Sequence, residues 1–122
     1  MTTVLLTNDD GFDSEGITAL FQSIKKIATV ILVAPDRDNS AVSHSLTMSR
    51  PLRVKQLDSH IYSVDGTPAD CVLLALQKIL SAPPDIIVSG INSGPNLGDD
   101  ISYSGTVSAA IEATMYSIPA LA

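Results

Sequence analysis

The sequence predicts an α/β fold: a three-layer, Rossmann-like, mainly parallel sheet with helices on both faces. Three observations predict it. Short Val-, Ile- and Leu-rich runs alternate with segments of helical period, the pattern of β-α-β crossovers. Hydrophobic residues make up 45% of the chain and mean hydropathy is +0.29, as expected where strands are covered on both faces. No apolar run approaches the ~18 residues of a membrane span. At 122 residues the chain reads as a single domain, 1–122, large enough for one core.

The elements follow in order. Val4–Thr7 is the first strand, unbroken and apolar up to its last residue. A helix follows, with Ile17, Leu20, Phe21, Ile24 and Ile27 spaced to share one face. Thr29–Ala34 is the second strand. Leu52–Leu57 and Ile61–Val64 bracket Asp58-Ser59-His60 as a hairpin, half-exposed because Arg53, Lys55 and Gln56 interrupt the apolar positions. The second helix has Thr67 as N-cap, Pro68 at its first position and Asp70 closing a Thr-x-x-Asp capping box. Its spacing places Val72, Leu73, Leu76 and Leu80 on one face. Asp85–Ser89 is the next strand. A third helix, from about Gly105 to Tyr116, presents Val107, Ala110, Ile111 and Thr114 inward, and Ile118–Ala122 begins a last strand. The sequence stops inside that strand with no polar tail, the pattern expected of a fragment with an unprotected sheet edge.

Net charge is −6 and the isoelectric point is about 4.5. An acidic surface argues against duplex nucleic acid as a partner, because phosphate contacts need Lys and Arg. All seven basic residues lie at or before Lys78. An anion bound to the remainder must be held by backbone N–H groups, hydroxyls or a metal ion. The one cysteine, Cys71, cannot form an internal disulfide, and the start Met1-Thr2-Thr3-Val4 lacks the basic residues of a signal peptide. A cytoplasmic protein with no membrane partner is expected.

The chemistry concentrates in three segments. In a parallel sheet the carboxyl ends of all strands share one edge, and ligands bind in the crevice there. Asn8–Ser14, Pro35–Pro51 and Gly90–Ser104 leave that edge, and all are rich in oxygen-bearing side chains. In the first, Asn8-Asp9-Asp10-Gly11 follows the first strand directly. Nucleotide-binding folds normally carry glycines there so that phosphate can approach a helix N-terminus. Two carboxylates would repel phosphate unless a divalent cation lay between them, which is how Mg²⁺ and Mn²⁺ are usually held with phosphorylated substrates. Adjacent residues on a strand face opposite ways, but at a strand end turning through Gly11 both Asp9 and Asp10 can reach one ion. The competing reading makes one of them a helix cap; Asp13 and Ser14 are better placed for that role.

Ser40 offers a neutral ligand and Asn92 follows the strand ending at Gly90, but each, taken alone, reads as readily as a turn residue. Ser104-Gly105-Thr106 opens the third helix, where free N–H groups, two hydroxyls and a missing side chain suit an approaching phosphate. His44 lies in the second segment, where an imidazole could aid proton transfer, whereas His60 sits in the hairpin turn. Tyr103 has the shape to stack on a base and equally to pack. There is no Gly-x-Ser-x-Gly elbow and no Gly-x-x-x-x-Gly-Lys loop.

Five ordered motifs together resemble the SurE family of survival proteins, metal-dependent nucleotidases and acid phosphatases. They are Thr7-Asn8-Asp9-Asp10-Gly11; Val33-Ala34-Pro35-Asp36-Arg37 leading to Ser40; Asp65-Gly66-Thr67-Pro68-Ala69-Asp70-Cys71-Val72; Val88-Ser89-Gly90-Ile91-Asn92-Ser93-Gly94-Pro95-Asn96; and Tyr103-Ser104-Gly105-Thr106-Val107-Ser108-Ala109-Ala110. The resemblance covers the whole chain. It implies that Asp9, Asp10, Ser40 and Asn92 bind one divalent cation, Mg²⁺ or Mn²⁺, and that Asn96, Ser104, Gly105 and Thr106 line the phosphate site. Family members run on past the end of this sequence, through more of the sheet and an extended hairpin used in subunit association, so the resemblance also implies a homo-oligomer. The expected activity is metal-dependent hydrolysis of nucleoside monophosphates, with Asp9 and Asp10 at the catalytic centre. Water is the expected nucleophile, because the Asp-x-Asp pattern of aspartyl-phosphate enzymes is absent. The alternatives are a nucleotide- or cation-binding α/β module without turnover, and an inactive fragment of the hydrolase.

Overall fold

A computed structural model describes residues 2–37, 46–47, 50–90 and 118–121. In chain order the elements are β1 (Thr3–Thr7), α1 (Glu15–Ile24), β2 (Thr29–Pro35), β3 (Val54–Asp58), β4 (Ile61–Val64), α2 (Pro68–Leu74), a π-helical turn (Ala75–Ile79), β5 (Ile86–Ser89) and β6 (Ala120–Leu121). The expected third helix lies outside the described residues.

The strands form one six-stranded sheet in the order β3-β4-β2-β1-β5-β6. Every pairing is parallel except the β3–β4 hairpin. Alternation along the central strands divides the core between two faces. Val4 and Leu6 of β1, with Val30, Leu32 and Ala34 of β2, pack against Ile17 and Phe21 of α1. Leu5, Val33, Val64 and Ile87 form the opposite face with Cys71 and Val72 of α2 and Ala75 just beyond it. Helices therefore cover both faces, as the unbroken apolar strands require.

Three local expectations are corrected. Ile27 is 83% exposed rather than part of the α1 stripe. The helix stops at Ile24, and a tighter bond from Ile27 N to Ile24 O (2.9 Å) turns that side chain outward while Ala28 packs inward. In α2 the inward stripe is centred on Cys71 and Ala75, and Leu74 packs against that core, whereas Leu73 is half-buried outside it. The π-helical turn then widens the spiral, closing with Leu80 N donating to Ala75 O (2.9 Å), which carries Ile79 and Leu80 back onto the core. Finally, the first hairpin strand runs over Val54–Asp58 rather than Leu52–Leu57, and the half-exposure of the pair is divided unequally: β3, an edge strand bulged between Gln56 and Asp58, is exposed along its whole length, while Ser63 and Val64 of β4 are buried.

The strand order determines where a ligand crevice lies. From β1 the chain moves outward through β2 to β4; from β4 it returns over β2 and β1 by way of α2 to enter β5 on the other side. The connections therefore diverge between β1 and β5, whose register pairs Thr7 with Ser89. That is the topological switch point, with Asn8 and Gly90 at its mouth.

Candidate functional site

The turn after β1 is held in shape by its own side chains. Asn8 is fully buried. Its Nδ2 donates to Gly11 O (2.9 Å) and to Ser14 Oγ (2.8 Å), and its Oδ1 accepts from Gly11 N (3.1 Å). One amide thus spans the whole turn, the usual use of Asn at such a bend. Gly11 has φ of 115°, a conformation a side chain rarely adopts, and a Cβ there would come within 3.3 Å of the Arg37 carbonyl carbon. Ser14 is the N-cap of α1, as expected, but its hydroxyl is turned to Asn8 rather than to its own helix.

Braced this way, the turn presents two carboxylates in different surroundings. Asp9 is 3% exposed, whereas Asp10 is half-buried. Burying a carboxylate is costly unless charge and hydrogen bonds compensate it, and a cation supplies such compensation. The donor set here is all oxygen, the chemistry that suits a hard divalent ion. Among the described residues no three His, Cys, Asp or Glu side chains converge on one point. The expected ligand set has only two such residues, Asp9 and Asp10, completed by the neutral Ser40 and Asn92. Ser40, Asn92, Asn96, Ser104, Gly105 and Thr106 lie outside the described residues, as do His44 and Tyr103.

Thr7 and Ser89 sit side by side beneath this turn, both buried. Among the described residues neither Thr7 Oγ1 nor Ser89 Oγ has a hydrogen-bond partner. The pKa of the nearby Cys71 thiol is pushed well above the ordinary 9.0 by burial first and by the neighbouring Asp70 charge second. A thiol so placed is a core group rather than a nucleophile.

The segment leaving β2 returns to the body at a second carboxylate. Asp70 is 1% exposed. Its Oδ2 accepts from Thr67 N (2.8 Å), and Thr67 Oγ1 accepts from Asp70 N (3.1 Å), which completes the expected capping box. The same carboxylate also accepts from Thr47 N (2.7 Å) and Thr47 Oγ1 (2.5 Å). Gly66 makes room for it: a Cβ there would lie 2.5 Å from Asp70 Oδ2. Asp65 does similar work nearby, accepting from Arg53 N (2.6 Å) and pairing with the Arg50 guanidinium (3.1 Å). The Arg53 N–H, foremost, holds the Asp65 carboxyl below its ordinary 3.8; burial opposes it, and the Arg50 hydrogen bond and the Arg50 and Arg53 charges add to the lowering.

Sequence reasoning missed two of these residues as parts of the site's framework. Asn8 carried a usable signal, because Asn three residues before Gly is a common bend. The tie from Asp70 to Thr47 carried none, since the partners are far apart in sequence.

Comparison with known proteins agrees with this fold. Residues 4–122 match the family described as Survival protein SurE. The chain belongs to the SurE family. It is 56% identical over 119 residues to the 5′-nucleotidase SurE of Geobacter sulfurreducens, covering 98% of this chain and 45% of that protein. It is 57% identical to the 5′-nucleotidase SurE of Geotalea uraniireducens, covering 98% and 48%. The crystal structure of the SurE protein from Aquifex aeolicus superposes with a TM-score of 0.93 at 53% identity, over 97% of this chain and 48% of that one. The chain thus spans a little under half the length of the SurE relatives it matches, and over that span it has the SurE α/β fold. No helix among the described residues is long and apolar enough to cross a membrane.

Proposed function

We propose that this chain carries the metal- and phosphate-binding half of a nucleoside monophosphate phosphohydrolase. The observation that carries the reading is the Asn8-braced turn, which places Asp9 and Asp10 at the mouth of the β1–β5 switch point. Relatives named 5′-nucleotidase at 56% and 57% identity support the substrate class.

In this reading Asp9, Asp10, Ser40 and Asn92 hold one Mg²⁺ or Mn²⁺. Such an ion polarises a phosphoryl group and acidifies water. Asp9, buried, fixes the ion's place. Asp10, half-buried, is the carboxylate that reaches solvent, so it takes the proton from the attacking water. Asn96, Ser104, Gly105 and Thr106 bind the phosphate oxygens on which charge develops. The loops bearing these residues follow β2, β1 and β5, which are adjacent in the sheet, and that adjacency supports a shared site.

The test is phosphate release from nucleoside monophosphates with Mn²⁺ or Mg²⁺, repeated in excess EDTA. Release should require metal, and Asp10→Asn should lower turnover by at least about 100-fold with the fold retained. Release that ignores EDTA, or near-full activity in Asp10→Asn, would overturn the assignment. The alternative reading is a module that binds nucleotide without turning it over. Stoichiometric, metal-dependent binding with no phosphate released would select it.

A further inference from the structure

The sequence contains three arginines, Arg37, Arg50 and Arg53, in a chain of net charge −6. All three line one cavity of about 880 Å³, along with Thr47 and Thr67. That volume lies within the range of sites for nucleotide-sized ligands. The cavity opens on the carboxyl edge of the sheet and abuts the acidic turn: Phe12 N donates to Pro35 O (2.8 Å), and the Arg37 backbone packs against Gly11.

Its walls are held in place. Asp70 fastens Thr47 and Thr67, Asp65 fastens Arg50, and Asp36 pairs with Arg37 at 3.2 Å. Two of the three guanidinium groups therefore have carboxylate partners. Arg53 differs: its backbone N–H is bound to Asp65 and its charge acts on that carboxylate from a distance, while its guanidinium makes no ion pair or hydrogen bond among the described residues. A preorganised polar wall ending in a guanidinium with no hydrogen-bonded or ion-paired partner among the described residues is suited to an anion.

We propose that this cavity is a second anion subsite, which receives a further negatively charged group of a substrate held at the adjacent acidic turn and so favours nucleotides bearing a further phosphate. The inference rests on the proposed phosphohydrolase site beside it. The test uses non-hydrolysable 5′-phosphonate analogues of adenosine, with and without a 3′-phosphate, titrated calorimetrically in Mn²⁺ and again in EDTA.

In Mn²⁺ the 3′-phosphate should tighten binding about tenfold, the size of one charge-assisted hydrogen bond. Arg53→Gln should bring the two analogues to within about twofold while leaving the parent analogue's affinity unchanged. Thermal unfolding serves as the control, because the backbone bond to Asp65 survives that substitution. Equal affinities in the wild type, or an unaltered ratio in Arg53→Gln, would overturn the subsite. Parent binding that EDTA does not weaken would overturn the metal reading instead, leaving the arginine ratio as a separate result. Failure of both analogues to bind would overturn both.

Discussion

Asp70 grips Thr47 at two points, backbone N at 2.7 Å and Oγ1 at 2.5 Å, while the same carboxylate caps α2 through Thr67. A residue that looks like a helix cap in the sequence is thereby also the anchor of the segment that left the sheet after β2. One buried group serves both the helix start and the wall of the cavity.

Thr47→Val separates these duties, because it removes the hydroxyl bond and keeps both the backbone bond and the capping box. A hydrogen bond to a charged group contributes about 1.5–3 kcal/mol, so urea unfolding should show a loss of about that size. Asp70→Ala removes the cap and the anchor together and should cost more than Thr47→Val. Equal stability of the wild type and Thr47→Val would mean the bond contributes nothing net.

Gly66→Ala should destabilise by sterics alone. Its Cβ would meet Asp70 Oδ2 at 2.5 Å, so the carboxylate must leave its place and the capping box opens. Loss of a cap costs about 1 kcal/mol and an unsatisfied buried group about 1–3 more. Gly11→Ala should fail for a different reason, its positive φ, with strain of about 1–3 kcal/mol. Thermal denaturation of the two variants measures both.

Stability should fall on the acid side partly through Asp65. Its folded pKa is depressed, so its contribution is present above the unfolded value of 3.8 and is lost as pH drops through the lower folded value. Asp65→Asn should flatten that part of the stability profile below pH 4 and leave the neutral region less affected by pH. A profile of unchanged slope in the variant would remove Asp65 from the account.

Cys71 should resist alkylation in the native protein and react only on unfolding. It is fully buried with its pKa raised, so thiolate is scarce and access is closed. Labelling with a thiol reagent across a urea titration should therefore track the unfolding transition. Rapid labelling in the absence of urea would contradict the packing of Cys71 against Leu5, Val33 and Ile87.

Much of the fold was legible from local pattern. The unbroken apolar runs Val4-Leu5-Leu6 and Val30–Ala34 carry the information that both faces are covered, and Thr67-Pro68-Ala69-Asp70 announces a helix start by side chains that cap it locally. Asp9 and Asp10 stood out because two charges behind a buried strand are expensive unless something uses them. These features depend on neighbours within a few residues, so sequence alone determined them.

Tertiary structure decided what depends on distant partners. It ended α1 at Ile24 and so exposed Ile27, it packed Leu74 rather than Leu73 against the core, and it gave Asp9 and Asp10 unequal burial. It also gathered Arg37, Arg50 and Arg53 around one cavity and tied Asp70 to Thr47. The physical reason is common to all: sequence periodicity reports which face a residue occupies, whereas contact across the sheet edge depends on strand order and on where each turn closes.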